Sequence, residues 1–304
     1  MYDIVIVGGG PAGLTAAVYG LRAGKSVVVI EKNGFGGQIA YSPKVENIPG
    51  TQQISGAAFA DQLTEQAMAL GADMELETVT GLEKTGEGFL VHTEEGGDFE
   101  GRTVILALGV KHRMLGLPGE EALIGSGISF CAVCDGAFYA GQDVAMVGGG
   151  NSALQEALLL AETSRSVTVI QNLPHFTGEK RLADALLEKE NVTVHFGTVV
   201  TGYRSEKGTL TGLELRNTAT GEASAIAVDG AFLAVGLMPE NDAFAELAAL
   251  NAWGYFDSAE DCCTGTEGLY VAGDCRSKRI RQVVTAASDG AVAAMAACMY
   301  LDQK

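Results

Sequence analysis

Asp3-Ile4-Val5-Ile6-Val7-Gly8-Gly9-Gly10-Pro11-Ala12-Gly13 is a short β-branched run that breaks into glycines and continues as Leu14 to Ala23, a helix-compatible stretch. A second strand, Ser26 to Ile30, follows and ends at Glu31. Each glycine of the G-x-G-x-x-G has a mechanical role. Gly8 permits the tight turn, Gly10 lets backbone approach a pyrophosphate, and Gly13 lets helix and strand close up. The unpaired N–H groups at the helix start then favour an anion. A lone glycine pattern is weak evidence. The strand before it, the helix after it and the acid closing the next strand make this copy specific, and it reads as a dinucleotide-binding βαβ unit.

The same grammar returns later in the chain. Strand Asp143 to Val147 leads into Gly148-Gly149-Gly150-Asn151-Ser152-Ala153, a helix from Leu154 to Glu162, and a strand Val167 to Ile170 that ends at Gln171. Glu31 and Gln171 stand at the same offset from the first glycine of their units. Thr103 to Leu108, ending at Gly109, and Phe232 to Val235, ending at Gly236, read as connections. The last third holds a strand closing on Gly273-Asp274, then Arg281-Gln282-Val283 and a small-residue helix. The expected fold class is α/β, with two Rossmann-like, three-layer dinucleotide-binding domains, the second inserted into the first. Residues 1–111 and 237–304 form the discontinuous first domain, and 112–236 the second.

At 304 residues, with 47% hydrophobic and 19% charged residues and 41 glycines without a collagen-like period, the chain reads as a turn-rich α/β enzyme of about two domains. Its net charge of −18 argues against a nucleic-acid or anionic-membrane partner, both of which demand a dominant positive surface. No apolar run reaches the roughly 18 residues of a membrane span. The chain runs from Met1 directly into a strand, which reads as a cytoplasmic protein without a leader.

Cys131-Ala132-Val133-Cys134-Asp135 places two thiols two residues apart with a carboxylate directly behind. Such a pair can cycle between dithiol and disulfide; half of a zinc site and a structural bridge are the other readings of C-x-x-C. Zinc needs two further Cys or His at ligand spacing. Cys262, Cys263, Cys275 and Cys298 supply no second C-x-x-C, and His92, His112, His175 and His195 share no ligand spacing, so no metal is expected. Asp135 with Gly136 is also a turn signal.

The order of these features, from the first glycine fingerprint with Glu31, through Gly36-Gly37-Gln38, Val45-Glu46-Asn47 and Cys131-Ala132-Val133-Cys134-Asp135-Gly136, to Gly273-Asp274 with Arg281-Gln282, resembles the low-molecular-weight thioredoxin reductases along the whole chain. The resemblance implies an FAD flavoprotein, a homodimer, that passes electrons through flavin and disulfide to thioredoxin. It also implies roles. Gly8, Gly10, Pro11, Ala12 and Gly13 would seat the pyrophosphate, and Glu31, followed by Lys32, would hold the adenosine ribose. Gly36, Gly37, Gln38, Asn47 and Gly109 would belong to the flavin side, with Gly273, Asp274, Arg281, Gln282 and Val283 around the ribityl chain and ring. Cys134 would be the thiol next to the flavin, Cys131 the thiol that attacks thioredoxin, and Asp135 the general acid.

One region departs from that pattern. NADPH-dependent members carry a His-Arg-Arg cluster and a further Arg after the second unit's strand; here those positions are Gln171, Asn172, Leu173 and Thr177. Arg grips a 2′-phosphate by bidentate, charge-assisted hydrogen bonds, so NADPH is disfavoured as donor. Gln171 is not the acid that an NADH ribose would want either. The pattern resembles ferredoxin-dependent flavin thioredoxin reductases, and Arg276, Lys278, Arg279 and Arg281 read as a basic patch for an acidic ferredoxin. An NAD(P)H-dependent reductase with an atypical nucleotide site and a small-molecule dithiol oxidase using oxygen are the alternatives.

Overall fold

Fully buried Ile4, Val5 and Ile6 explain the first strand. Its neighbours on both sides are parallel, and parallel sheets are covered on both faces, which selects continuous β-branched runs. The computed structural model describes residues 1–42, 45–95 and 97–304. Two units emerge, one of Met1–Pro43, Ile48–Lys111 and Met238–Lys304, the other of His112–Leu237 with Lys44–Asn47.

In the first unit, β1 (Tyr2–Val7), β2 (Val27–Glu31) and β3 (Asp73–Leu76) continue into β6 (Asp98–Leu106) in the order β3-β2-β1-β6. The hairpin of β4 (Val79–Lys84) and β5 (Phe89–Thr93) joins β6 antiparallel, while β17 (Leu269–Val271) pairs in parallel with the other end of β6. Helices α1 (Pro11–Arg22), α2 (Gly56–Ala69) and α6 (Val283–Asp302) complete the layers. In the second unit, β8 (Ile128–Ser129), β9 (Asp143–Val147), β10 (Ser166–Ile170), β11 (Val192–His195) and β15 (Gly230–Leu233) form an all-parallel sheet, ordered β11-β10-β9-β15-β8. Helices α3 (Ala132–Asp135), α4 (Asn151–Ala161) and α5 (Lys180–Leu187) belong to it, and a meander of β12 (Thr198–Glu206), β13 (Thr209–Asn217) and β14 (Ala223–Ala227) lies between β11 and β15 in the chain. The remaining strands, β7 (Lys111–His112) and β16 (Leu237–Met238), are where the chain passes between units. The α/β class with two Rossmann-like domains is what the sequence led us to expect.

The small residues of α6 have a packing reason. A methyl added to Gly290 would lie 2.0 Å from the Ala12 carbonyl oxygen, so α1 and α6 approach backbone to backbone, with Ala16, Ala293 and Ala297 fully buried around the contact. This helix is, among the described residues, the one long and apolar enough to cross a membrane by length and composition. Its buried face is instead spent on α1 and on an ion pair. Asp289 accepts Arg276 Nε at 2.8 Å and Arg276 Nη2 at 2.9 Å, Lys278 Nζ at 2.8 Å and the Gly273 amide at 3.0 Å. The apolar run Phe244 to Leu250 proves to be core, with Phe244 and Ala248 buried, whereas Trp253 is 78% exposed.

Burial alone would raise the Asp289 carboxyl, but the hydrogen bonds and charges of Arg276 and Lys278 outweigh it and hold the group below its ordinary value. A depressed carboxyl lends stability above its unfolded value, and that stability is lost as pH falls through about 4 and below. Asp289→Ala strands two buried cations and is expected to cost about 3–5 kcal/mol, read as a lower urea midpoint by far-UV circular dichroism. The gap between variant and wild type should close as the pH is lowered into the acid range.

Candidate active site

Gly8 sits at φ +108°, and a methyl there would meet the Ala107 carbonyl oxygen at 2.3 Å; one on Gly13 would lie 1.8 Å from the Gly8 carbonyl oxygen. Only glycine lets the β1–α1 turn close this tightly. Gly10 precedes α1 with no side-chain cap and Pro11 opens the helix, so the first-turn amides are not satisfied by a capping side chain. Open space lies over Gly10, where a methyl would find only the Cα of Gly37, at 3.9 Å. Glu31 is held by two amides: Oε2 accepts the Gly9 N–H at 2.7 Å and Oε1 the Asn33 N–H at 3.0 Å. Each oxygen keeps a lone pair for a further donor.

Gly36 and Gly37 adopt φ of +109° and +66°, and Gln38 Nε2 donates to the Val110 carbonyl just past Gly109, itself at φ +66°. Lys32 turns outward onto Glu240 at 2.9 Å. Gln282 caps α6, with Val283 its first residue, in a reciprocal box with Thr285. Arg281 donates Nε to the Asp274 carbonyl at 3.3 Å and lays its guanidinium over the Tyr255 ring, 4.3 Å from the centroid. Burial pushes the Asp274 carboxyl up to about 6, against the downward pull of the Lys278 and Arg281 charges. Its Oδ1 is buried without a hydrogen-bond partner. Asn47 falls in the short segment that groups with the second unit.

In the second unit Cys131 and Cys134 are joined as a disulfide. Cys131 is the residue before α3, and its Sγ accepts the Cys134 amide at 3.1 Å. Ser129 Oγ accepts the Cys131 amide at 3.1 Å and donates to Asp135 Oδ2 at 2.6 Å, fixing the carboxylate against the start of the motif. Glu156, on α4, accepts the Ala132 amide at 3.1 Å. The remaining cysteines are free, and burial leads the upward shift of each thiol, to about 12 for Cys262 and about 11 for Cys275, away from the reactive thiolate.

The chain matches the model of the pyridine nucleotide-disulphide oxidoreductase family over residues 2–290. It is 35% identical to a thioredoxin reductase of Bacillus subtilis, over all of this chain and 96% of that one. A bifunctional thioredoxin reductase/thioredoxin of Mycobacterium leprae is 38% identical over 99% of this chain, which spans 66% of the longer protein. The crystal structure of thioredoxin reductase from Streptococcus pyogenes superimposes with a TM-score of 0.94 at 35% identity, covering 100% and 99% of the two chains.

The chain belongs to the pyridine nucleotide-disulphide oxidoreductase family. Within that family it is a flavin disulfide oxidoreductase of the thioredoxin reductase type, with FAD as its cofactor. The first unit's residues fit the group. The glycine turn leaves backbone and first-turn amides open, Glu31 offers oriented acceptors, and the orphaned Asp274 Oδ1 is a buried acceptor in want of a hydroxyl donor.

The basic patch read from the sequence is corrected by the structure. Arg276 and Lys278 have side chains only 9% exposed, both spent on Asp289, and Arg281 is stacked on Tyr255. Only Arg279 is exposed. The sequence reading also missed Ser129, Glu156 and Asp289. Ser129 had a faint signal, two residues before the C-x-x-C; Glu156 and Asp289 are acids inside helices that only tertiary packing reveals.

A carboxyl whose folded pKa is raised binds protons more tightly folded than unfolded, so it erodes stability as pH climbs from about 4 to about 6. In flavin-free protein we expect the melting temperature to fall across that window. Asp274→Asn should flatten the fall and also reduce FAD retention, read from the absorbance of purified protein.

Proposed function

We propose that this chain reduces thioredoxin through Cys131 and Cys134 and takes its electrons from a donor other than NADPH, with ferredoxin favoured, as a homodimer in the cytoplasm. The observation that carries the dithiol chemistry is the disulfide seated at the start of α3 with the Ser129–Asp135 hydrogen bond beside it. Bound FAD supplies the electron pair that opens the disulfide. Cys131, its sulfur stabilised as thiolate by the Cys134 amide, then attacks one sulfur of the thioredoxin disulfide. A mixed disulfide forms, and the departing thioredoxin thiolate takes a proton, for which Asp135 is the nearby acid. Cys134 next attacks the Cys131 sulfur, releasing the second thioredoxin thiol and closing the ring again.

The donor reading rests on the second glycine turn. Gln171 occupies the place that Glu31 has in the first unit, over the middle glycine, but is a neutral amide and only 4% exposed. Its Nε2 donates to the His175 carbonyl at 3.0 Å and its Oε1 accepts the Asn172 amide at 3.1 Å, so the group is committed to its own loop. Thr177, where a phosphate-gripping Arg would be needed, hydrogen-bonds the Gly149 carbonyl at 3.3 Å. Ferredoxin is favoured on this ground alone, since the basic segment does not survive as a surface. An outward apolar stripe on α6, with Val292, Met295 and Met299 exposed, supports self-association, and four free cysteines suit a reducing compartment.

Anaerobic mixing tests the donor. Reduced ferredoxin should bleach the flavin at concentrations of NADPH or NADH that leave it yellow; rapid bleaching by micromolar NADPH would sink the donor reading. Cys131→Ser should abolish thioredoxin turnover while leaving flavin bleaching intact. Grafting Asn172→Arg with Leu173→Arg restores two charge-assisted contacts worth about 1.5–3 kcal/mol each at best, and we expect NADPH binding to tighten at least about tenfold by calorimetry.

A further inference from the structure

We infer that Glu156 is the proton-exchanging positioning residue of the Cys131–Cys134 couple, holding the Ala132 amide as a carboxylate while the disulfide is closed and taking up a proton when the pair is reduced. The inference rests on the reading that this pair is redox-active. Its basis is where the carboxylate sits. Glu156 Oε2 accepts the N–H of the residue directly after Cys131, so a formal negative charge is held against the first peptide of the turn in which sulfur becomes anionic. It comes from α4, whose neighbouring residues Ala153, Leu154, Ala157 and Leu160 are buried with Ala132 in one apolar cluster. Screening there is weak, and two anions held so close oppose one another.

The groups on the elements packed against α4 do not neutralise it. Helix α3 brings Asp135 and the two sulfurs, and the turn after it brings Tyr139; β9 brings Asp143, tied to Arg165, β10 brings no charged residue, and α5 brings Lys180, tied to Asp184, with Arg181. Burial pushes the Glu156 carboxyl up to about 7 and the Ala132 N–H pulls it down, with no neighbouring charge contributing. Reduction breaks the sulfur–sulfur bond with two electrons and one proton, leaving one thiol and one thiolate. The new anion raises the carboxyl further, and a second proton passes from water to Glu156. When Cys131 leaves as a mixed disulfide the thiolate charge is gone and that proton is released.

Holoenzyme is equilibrated anaerobically with mixtures of reduced and oxidised dithiothreitol, and the Cys131–Cys134 disulfide fraction is read by alkylation and mass spectrometry. Glu156→Gln keeps an oxygen that can accept the Ala132 amide but cannot titrate. Above pH 7 the wild-type pair should lose reducibility more steeply than the variant, by up to about tenfold in equilibrium constant per pH unit, with the two curves parallel well below it. A wild-type to variant ratio that stays constant with pH overturns the inference and leaves the redox reading standing. A wild-type disulfide that dithiothreitol cannot open overturns both. Redox-difference infrared spectroscopy gives a second readout on wild type: a protonated-carboxyl C=O stretch should appear on reduction and be missing in Glu156→Gln, and its absence from wild type overturns the inference.

Discussion

The closure of α1 onto the β1 turn is the constraint on which the rest of the first unit depends. With 1.8 Å between the Gly8 carbonyl oxygen and the place a methyl would take on Gly13, any side chain there drives helix from strand. The same closeness recurs one layer out, where Gly290 lets α6 settle on Ala12. A chain of missing side chains thus runs from the turn to the last helix. It fixes α6, whose Asp289 pins Arg276 and Lys278 in the loop that follows Asp274. A glycine turn with an uncapped helix start and the partly unpartnered Asp274 carboxyl are held within one unit by steric necessity at one end and buried charge at the other.

Buried charge here is a locating device more than a source of net stability. An isolated Asp–Arg–Lys cluster can be no better than well-packed apolar residues, because desolvation offsets attraction. What it does is remove alternatives: with three donors and a backbone amide converging on one carboxylate, the loop has one low-energy path across α6. That commitment, with the stacking of Arg281 on Tyr255, leaves only Arg279 of the four cationic residues in a row of six exposed. Sequence counts charges, whereas the fold decides which of them reach water.

Much of the architecture was legible because its signals are local. The two glycine turns, the strand Asp143 to Val147 and the C-x-x-C are written in consecutive residues, and the observed elements shift from the expected ones only at their ends; the first helix begins at Pro11 instead of Leu14, as proline at a first helical position allows. The β12–β13–β14 meander was not read: β12 and β13 are nine residues each, but their pairing is broken by register shifts between Val200 and Gly202 and between Arg204 and Ser205, which interrupts the period-2 signal. Nor was the role of Asp289 or Glu156. Each is an acid within a helix, and a helix sequence does not say which turn faces an amide, an arginine or solvent.

The two glycine units keep one backbone design around different side chains. In both, the side chain at the end of the second strand folds over the middle glycine. Glu31 does so as an anion that still has acceptor capacity, and Gln171 does so as a neutral amide whose donor and acceptor are already used by His175 and Asn172. The turn geometry therefore survives for packing reasons, with Gly148 at φ +134° and a methyl there 2.5 Å from the Ala234 carbonyl oxygen, whether or not a nucleotide is bound. The helix that follows the second glycine turn makes a separate contact in this chain: Glu156, in its second helical turn, accepts the amide of the residue after Cys131. The strand–turn–helix thus also supports the peptide next to a cysteine sulfur, a structural use that does not depend on any nucleotide.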